Sequence, residues 1–450
     1  MDFVNILRGL FGIILLIGIA FLLSNNKSKV NWRLVLSGLA LQFIFALFIL
    51  KGESLRSFFA PLGWPKDFFS WVSGFFVLLL NFTFEGAKFV FGDLAISPGQ
   101  DGSLGSFFAF QVLPTIIFFA SLMSILYYLG IMQKIVQAMA WVMAKVMGTS
   151  GAESLSCTAN IFVGQTEAPL MIKPFIKGMT KSEILTIMVG GMATIAGGVM
   201  AAYIQILGYS YSQRLGIPLE EAQKLFATQL LGASVMAAPA AMLISKILFP
   251  ETSDPETKGT VKIKVEKNAR NVIEAAANGA GEGLQLALNV GAMLIAFIAF
   301  IALVNYLLNG LGELIGVNQA LKEQFGKPLN FQLIIGWIFQ FLAFGIGVPW
   351  EDALNFGSLL GTKIVLNEFV AYLDMGTLIE SGVFTNQKAI IMATYALCGF
   401  ANFSSIAIQI GGLGPLAPMR KSDIASLGIK AVIGGALATL MTATLAGVLY

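Results

Sequence analysis

The chain has 450 residues, 56% of them hydrophobic and only 12% charged, with a mean hydropathy of +0.79. A soluble domain carries about 25% charged residues, so a polytopic helical membrane protein is expected instead. The net charge of +3 is too small to argue for nucleic acid, and the absence of histidine excludes a histidine proton relay, a histidine metal site and a Ser-His triad. Cys157 and Cys398 lie in apolar surroundings and read as buried small residues, with neither a disulfide nor a metal framework.

Residues 2–23 form the first predicted span; 25–33 is a polar turn with Lys27, Lys29 and Arg33, and 34–50 is the second span. After a Pro-containing loop (51–67), residues 68–91 are apolar but carry Trp71, Asn81, Glu85 and Lys88, a mixture expected of a helix lying in the membrane interface. A turn-rich loop (93–105) leads to the third span, 107–129, and to an amphipathic helix, 131–147. Residues 148–180 contain a polar island, T-A-N-I-F-V-G-Q-T-E-A-P-L (158–170). Its two arms, 152–163 and 168–177, are each too short to span, so a re-entrant hairpin with a Gly-Gln-Thr-Glu tip is expected. The fourth span, 184–207, contains Gly190-Gly191 and Gly197-Gly198 and is expected to unwind at Thr194-Ile195. The fifth is 225–249, with Pro239 inside.

Residues 250–270 are the most charged stretch, with Lys258, Lys262, Lys264, Lys267 and Arg270. A long helix (271–309) follows, apolar from Leu284 and read as the sixth span, and then a polar loop, 310–330. Residues 331–373 hold a second island, G-T-K-I-V-L-N-E-F-V-A-Y (361–372), and are expected to split into two arms at G-I-G-V-P-W (345–350). Beyond a loop (374–387), the seventh span, 388–410, is interrupted at 399–405; after a Gly/Pro turn (411–423), 424–450 is the eighth. The expected fold class is all-α: eight transmembrane helices plus two opposed re-entrant hairpins in an inverted repeat. The units are a scaffold (1–147), a first transport repeat (148–270), a long scaffold helix and loop (271–330) and a second transport repeat (331–450). Placing 25–33 in the cytoplasm puts Lys134, Lys145, Lys173, Lys177, Lys181, the 250–270 cluster, Arg420 and Lys421 on that side and both termini outside, provided both hairpins are re-entrant and 68–91 does not cross.

A carboxylate at membrane depth costs about 2.5–3.5 kcal/mol or more, and irregular backbone there survives only where it lines a protein-enclosed cavity. The islands therefore read as walls of a polar solute site. Gln165, Thr166 and Glu167 offer adjacent donors and acceptors suited to a planar heterocycle such as a nucleobase edge. A simple anion would call for arginine. Glu167 could alternatively be a buried carboxylate paired with a lysine. Glu368, with Asn402 and Ser405 three apart on one helical face, makes an acceptor-rich set for vicinal sugar hydroxyls; helix–helix hydrogen bonding is the bland alternative for the last two. Phe400 could stack on a ring or simply pack. Asn160, Val163, Thr194 and Ile195 could supply oxygen ligands to a cation. Lys363 reads as a snorkelling or paired lysine. No Walker loop, no paired Cys/His spacing and no nucleophile with a base is present, so an enzyme is not expected.

The motifs G-Q-T-E-A-P (164–169), A-P-A-A-M-L (238–243), N-V-G-A-M-L-I-A-F (289–297), G-V-P-W-E-D (347–352), L-L-G-T-K-I-V-L-N-E-F-V-A-Y (359–372) and F-A-N-F-S-S (400–405) occur in order, and from about residue 107 onward the chain resembles bacterial concentrative nucleoside transporters. The resemblance implies a homotrimer in the bacterial inner membrane that moves nucleosides of the uridine, cytidine and adenosine class by an elevator motion. It implies that Gln165, Thr166 and Glu167 contact the base. Glu368, Asn402 and Ser405 contact the ribose, with Phe400 beside it. Asn160, Val163, Thr194 and Ile195 match the family's sodium site; the family's usual serine at 194 is threonine here, and the hydroxyl is kept. Gly164 followed by Gln165 looks like the broadly selective pattern. The expected function is sodium-driven nucleoside symport, with co-transported Na⁺ and no cofactor. The alternatives are proton coupling through Glu167 or Glu368, an intramembrane enzyme acting on a nucleotide-linked lipid, and a channel.

Overall fold

The computed structural model describes residues 3–96, 102–259 and 269–450. Lys262, Lys264 and Lys267, expected to mark the cytoplasmic side, lie outside the described residues, as does part of the 93–105 loop. The described chain is helical, and its long helices are α1 (Phe3–Leu22), α2 (Trp32–Leu50), α3 (Trp64–Phe91), α4 (Leu113–Tyr128), α5 (Ile131–Met147), α6 (Gly151–Ala159), α7 (Lys181–Ala193), α8 (Gly197–Leu215) and α9 (Leu219–Leu248). They continue as α10 (Val272–Leu314), α11 (Phe331–Gly345), α12 (Trp350–Val365), α13 (Glu368–Glu380), α14 (Gln387–Leu397), α15 (Phe403–Leu413) and α16 (Lys421–Leu449). Short helices also occupy Gly52–Phe58 and Asn318–Phe325, inside segments expected to be loops.

The series runs twice through the same sequence of elements. In the first, α4 and α5 lead to a short helix, α6, then to a tip, a broken pair (α7 and α8) and a long helix, α9. In the second, α10 and α11 lead to α12, a tip, α13, a broken pair (α14 and α15) and the long α16; the place of α13 is held in the first by the short helical turns Ala168–Ile172 and Lys173–Ile176. The packing repeats as well: α5 lies on α6 and α11 on α12, α7 lies on α9 and α14 on α16. The two series meet through α4 on α10 and α9 on α16. Helices α9 and α16 are buried nearly all round and form the core, whereas α10 leaves Leu288, Ile295, Phe300 and Tyr306 exposed along its length.

Eight helical stretches among the described residues are long and apolar enough to cross a membrane, matching the expected number but not the expected set. The stretch Ala60–Ala95, assigned from its charges to the interface, is long and apolar enough to cross. Its Glu85 and Lys88 are exposed near the C-terminal end of α3, where they burden the apolar window least. The seventh expected span is broken where an interruption was expected, into two half-helices, α14 and α15, neither long enough to cross alone. The second hairpin also differs from expectation. The G-I-G-V-P-W break is real and separates α11 from α12, but the island itself is split again at Leu366-Asn367, between α12 and α13. No glycine or proline marks that break. Asn367 makes it by capping α13, its side chain accepting from the Val370 N–H at 2.9 Å. Helix α13 then runs to Glu380, through much of the segment expected to be a loop.

The foot of α6 is tied down by charge. Ser150 and Glu153 form a capping box at its start, and Thr180 and Glu183 form another at the start of α7. The boxes are linked, since the Ser150 hydroxyl donates to Glu183 Oε1 at 2.6 Å. Lys246 of α9 closes the cluster: its Nζ is 2.8 Å from Glu153 Oε2 and 3.3 Å from Glu251 Oε2, and it donates to Ser182 Oγ at 3.0 Å. Lys246 and Glu153 are both buried, so removing one partner strands the other charge. Such a loss costs about 3–5 kcal/mol. Lys246→Met is therefore expected to lower the unfolding midpoint of the detergent-solubilised protein by several degrees. The Lys246→Met, Glu153→Gln double variant should recover much of that loss, and equal midpoints for the parent and Lys246→Met would show that the pair does not hold the foot of α6.

Candidate functional site

Four interruptions converge at the centre of the fold. The first is the tip after α6, where turns carry the chain from Asn160 to Glu167. The second lies between α7 and α8, where Thr194 (φ −124°, ψ 168°) and Ala196 (φ −68°, ψ 147°) are extended, as the glycines around them suggested. The third is Leu366-Asn367 and the fourth is 398–402, between α14 and α15. The second and fourth pack directly together: a Cβ on Gly399 would lie 2.7 Å from the Met192 carbonyl oxygen and 2.9 Å from the Ala193 carbonyl carbon, so only glycine fits there.

A chain of hydrogen bonds runs through this crossing. Glu368, the first residue of α13, is buried; its Oε1 accepts from the Tyr203 hydroxyl at 2.9 Å and its Oε2 from Asn402 Nδ2 at 3.0 Å. Asn402 caps α15, its Oδ1 accepting from the Ser405 N–H at 2.9 Å and the Ser404 hydroxyl at 2.7 Å. The Ser405 hydroxyl accepts from Gln165 Nε2 at 3.2 Å, and Gln165 Oε1 accepts from Gln409 Nε2 at 3.0 Å. Gln409 also donates to the Met188 carbonyl at 2.9 Å. The contacts are reciprocal between repeats. The first tip, through Gln165, meets α15 of the second repeat, and the second tip, through Glu368, meets α8 of the first. Of the predicted residues, Gln165, Glu368, Asn402 and Ser405 are thus brought together.

The others stand beside this chain. Thr166 lies against Gly412 of α15, half-buried. Glu167 turns back on its own tip, accepting from the Gly164 N–H at 3.0 Å, and its side chain is exposed. Phe400 is partly buried and packs on the apolar core.

Two members were missed from sequence. Tyr203 lies in the run A-A-Y-I-Q and is fully buried against Phe369 and Tyr372, with ring centroids 4.8 Å and 4.3 Å away. Gln409 lies four residues after Ser405, one helical turn along the same face. The available signal was the same for both: a polar group inside an apolar run needs a partner.

The candidate cation ligands sit where the first tip crosses the second interruption. Asn160 is buried; its Nδ2 donates to the Ser156 carbonyl at 3.0 Å, and its Oδ1 has no hydrogen-bond partner among the described residues. The Thr194 hydroxyl donates to the Gly190 carbonyl at 2.9 Å, which leaves its oxygen lone pairs free to coordinate. Residues 160–163 are held against the interruption by the Gly197 N–H, which donates to the Phe162 carbonyl at 3.2 Å. The carbonyls of Val163 and Ile195 accept no backbone hydrogen bond among the described residues. This donor set is all oxygen and uncharged, which suits a monovalent hard cation better than a transition metal. No cluster of three or more acidic, cysteine or histidine side chains capable of holding a metal occurs among the described residues.

Comparison with known proteins gives a consistent result. Residues 11–94, 109–210 and 229–447 match family models described as Na⁺ dependent nucleoside transporter N-terminus, nucleoside recognition gate, and Na⁺ dependent nucleoside transporter C-terminus. The chain is 46% identical over 444 residues to an uncharacterized transporter of Bacillus subtilis (strain 168), covering 98% of this chain and 99% of that one. It is 40% identical over 452 residues to sodium/nucleoside cotransporter 2 of Rattus norvegicus, covering 98% of this chain but 62% of the longer rat protein. Among solved structures it is similar to CNTnw in an inward-facing substrate-bound state, with a TM-score of 0.83, 39% identity and 99% of each chain covered. A CNTnw variant in an outward-facing state matches with a TM-score of 0.84 and 39% identity, covering 100% of this chain and 98% of that one.

The hydroxyl of Tyr203 is the testable newcomer. A hydrogen bond to a charged group is worth about 1.5–3 kcal/mol, so Tyr203→Phe should raise the half-saturating substrate concentration roughly ten- to a hundredfold. Concentration-dependent uptake at matched expression measures this, and an unchanged value would remove Tyr203 from the site.

Proposed function

The chain belongs to the Na⁺-dependent nucleoside transporter family, and we propose that it takes up nucleosides of the uridine, cytidine and adenosine class by symport with sodium. It is a multi-pass membrane transporter and not an enzyme. The observation that carries the substrate reading is the hydrogen-bonded chain from Gln165 through Ser405 and Asn402 to Glu368 and Tyr203. It lines the crossing with amide, hydroxyl and carboxylate groups, which together can bind an uncharged solute rich in both donors and acceptors. In this reading Gln165, Thr166 and Glu167 bind the base, while Glu368, Asn402 and Ser405 bind the ribose, with Phe400 against the ring.

Sodium takes the oxygens of Asn160, Val163, Thr194 and Ile195. Asn160 and Gln165 belong to the same tip, so a cation that fixes residues 160–163 also fixes the base-binding end of the site. By linkage, the nucleoside then favours the cation to the same degree. Because the solute is neutral, each sodium makes transport electrogenic, with about 2.3 kcal/mol available per 100 mV for one charge crossing the full potential. The unpaired Asn160 Oδ1 supports sodium over protons, for which Glu368, buried with only neutral partners in hydrogen-bond contact, would be the carrier.

The protein works as a homotrimer in the bacterial inner membrane by an elevator motion of two opposed re-entrant hairpins, with both termini external. The exposed apolar length of α10 supports a role for that helix in the fixed scaffold; the Lys/Arg distribution gives external termini on condition that α3 does not cross the membrane.

Glu368→Gln should abolish high-affinity nucleoside uptake while leaving expression intact; uptake near the parent level would remove Glu368 from the ribose site. Asn160→Ala should shift the sodium titration of uptake to higher concentration by more than it shifts nucleoside affinity at saturating sodium, and an unchanged titration would displace the cation from this niche.

A further inference from the structure

Lys363 is a buried cationic side chain near the crossing that this mechanism does not use. It lies in the last turn of α12 and is fully buried. Among the described residues no carboxylate lies within ion-pair distance of it. Its Nζ donates instead to the Ala396 carbonyl at 2.8 Å and to the Thr439 hydroxyl oxygen at 3.1 Å. Ala396 is in the last turn of α14, just before the fourth interruption, so its carbonyl has lost its helical partner. The Thr439 hydroxyl donates onward to the Ala436 carbonyl at 3.0 Å, leaving a lone pair to face the ammonium.

The repeat makes this position meaningful. Lys363 lies in the last turn of α12, just before the second tip, and Asn160 is the C-cap of α6, where the first tip begins. Ala396 precedes the break in α14/α15 as Gly190, Met192 and Ala193 precede the break in α7/α8. Each niche therefore lies where the C-terminal ends of two half-helices converge. A helix end carries about half a negative charge, so two ends together call for roughly one positive charge. In the second repeat the ammonium supplies it, while the Tyr372 hydroxyl takes the neighbouring Thr394 carbonyl at 2.9 Å. In the first repeat the side chains that donate to α7 carbonyls from residue 186 onward are neutral among the described residues: the Thr194 hydroxyl to Gly190, the Gln409 amide to Met188 and the Cys157 thiol to Thr186. There the buried Asn160 Oδ1 has no donor among the described residues.

We propose that the Lys363 ammonium is a tethered cation occupying, in the second repeat, the niche that sodium occupies in the first, and that it thereby limits the transporter to one co-transported sodium per nucleoside. This rests on the sodium reading above. It assigns Lys363 a role in ion stoichiometry, reached through the α14 helix end and not through contact with the nucleoside.

The test is the ratio of charge to uridine taken up by proteoliposomes at a clamped potential, with the sodium titration read alongside. The wild type should move about one charge per uridine, with a sodium Hill coefficient near one. Lys363→Asn places an amide oxygen where the ammonium was and should raise the ratio toward two, with a steeper sodium titration. Lys363→Gln, which keeps a donor within reach of the Ala396 carbonyl, should change the ratio in the same direction and covers the case in which the shorter side chain is not tolerated. A wild-type ratio of two would overturn the proposal without any variant, and sodium-dependent uptake with an unchanged ratio in the variants would overturn it alone. Sodium-independent uptake by the wild type would instead overturn the coupling reading on which the proposal rests.

Discussion

A helix interrupted inside a membrane must find a partner for every backbone group it frees, because no water is there to supply one. This chain accepts that cost four times at one place. The ends are met by groups from the chain itself: the Asn367 side chain caps α13, the Asn402 side chain caps α15, the Thr194 hydroxyl closes on Gly190, and the Gly197 backbone N–H reaches back to Phe162. Once these ends are fixed, much of the remaining polar chemistry at the centre follows. Asn402, which completes one of these ends, is also a member of the hydrogen-bonded chain proposed to bind the solute, and Gly399 allows the two broken helices to approach closely.

The reciprocity of the site bears on how it moves. Each tip is bonded to the broken pair of the other repeat, Gln165 to Ser405 and Glu368 to Tyr203, so the two hairpins and the two broken pairs hold together as one body. The foot of α6 is fastened by Lys246, Glu153 and the linked capping boxes, and by the Thr257 carbonyl, which accepts from the Gly151 N–H at 2.8 Å. The corresponding position in the second repeat, Asp352, is also a buried acid in the first turn of its helix, yet among the described residues it has no lysine partner and its Oδ2 is unpaired. The repeats thus share a backbone plan but differ in where they keep their charge. The first has a buried ion pair at its foot and neutral donors at its crossing; the second has an unpaired acid at its foot and an ammonium at its crossing.

Much of the plan was legible in the sequence wherever the chain breaks its helices with glycine, proline or a run of polar residues. The tip at 164–167, the unwinding at Thr194-Ile195 and the interruption at 399–405 were all read in the right places, and so were four members of the hydrogen-bonded chain. The break at Leu366-Asn367 was not, because an asparagine cap is recognisable only once the helix it starts is known. The G-I-G-V-P-W motif nearby offered a stronger but different signal. Tyr203 and Gln409 were missed because each is a single polar group in an apolar run whose partner lies far away in sequence: 165 residues for Tyr203 and 244 for Gln409. Helix α3 was read as interfacial from four polar or aromatic residues, although its length and overall apolarity set the capacity to cross.

The most direct measurement is radiolabelled uridine uptake into proteoliposomes at fixed pH, driven either by an imposed sodium gradient or by an imposed proton gradient. The account predicts uptake with sodium and none above background with protons alone. Uptake driven only by the proton gradient would contradict the cation site at Asn160 and Thr194. Failure of uridine, adenosine and inosine under both gradients, with reconstitution verified, would contradict the nucleoside site itself.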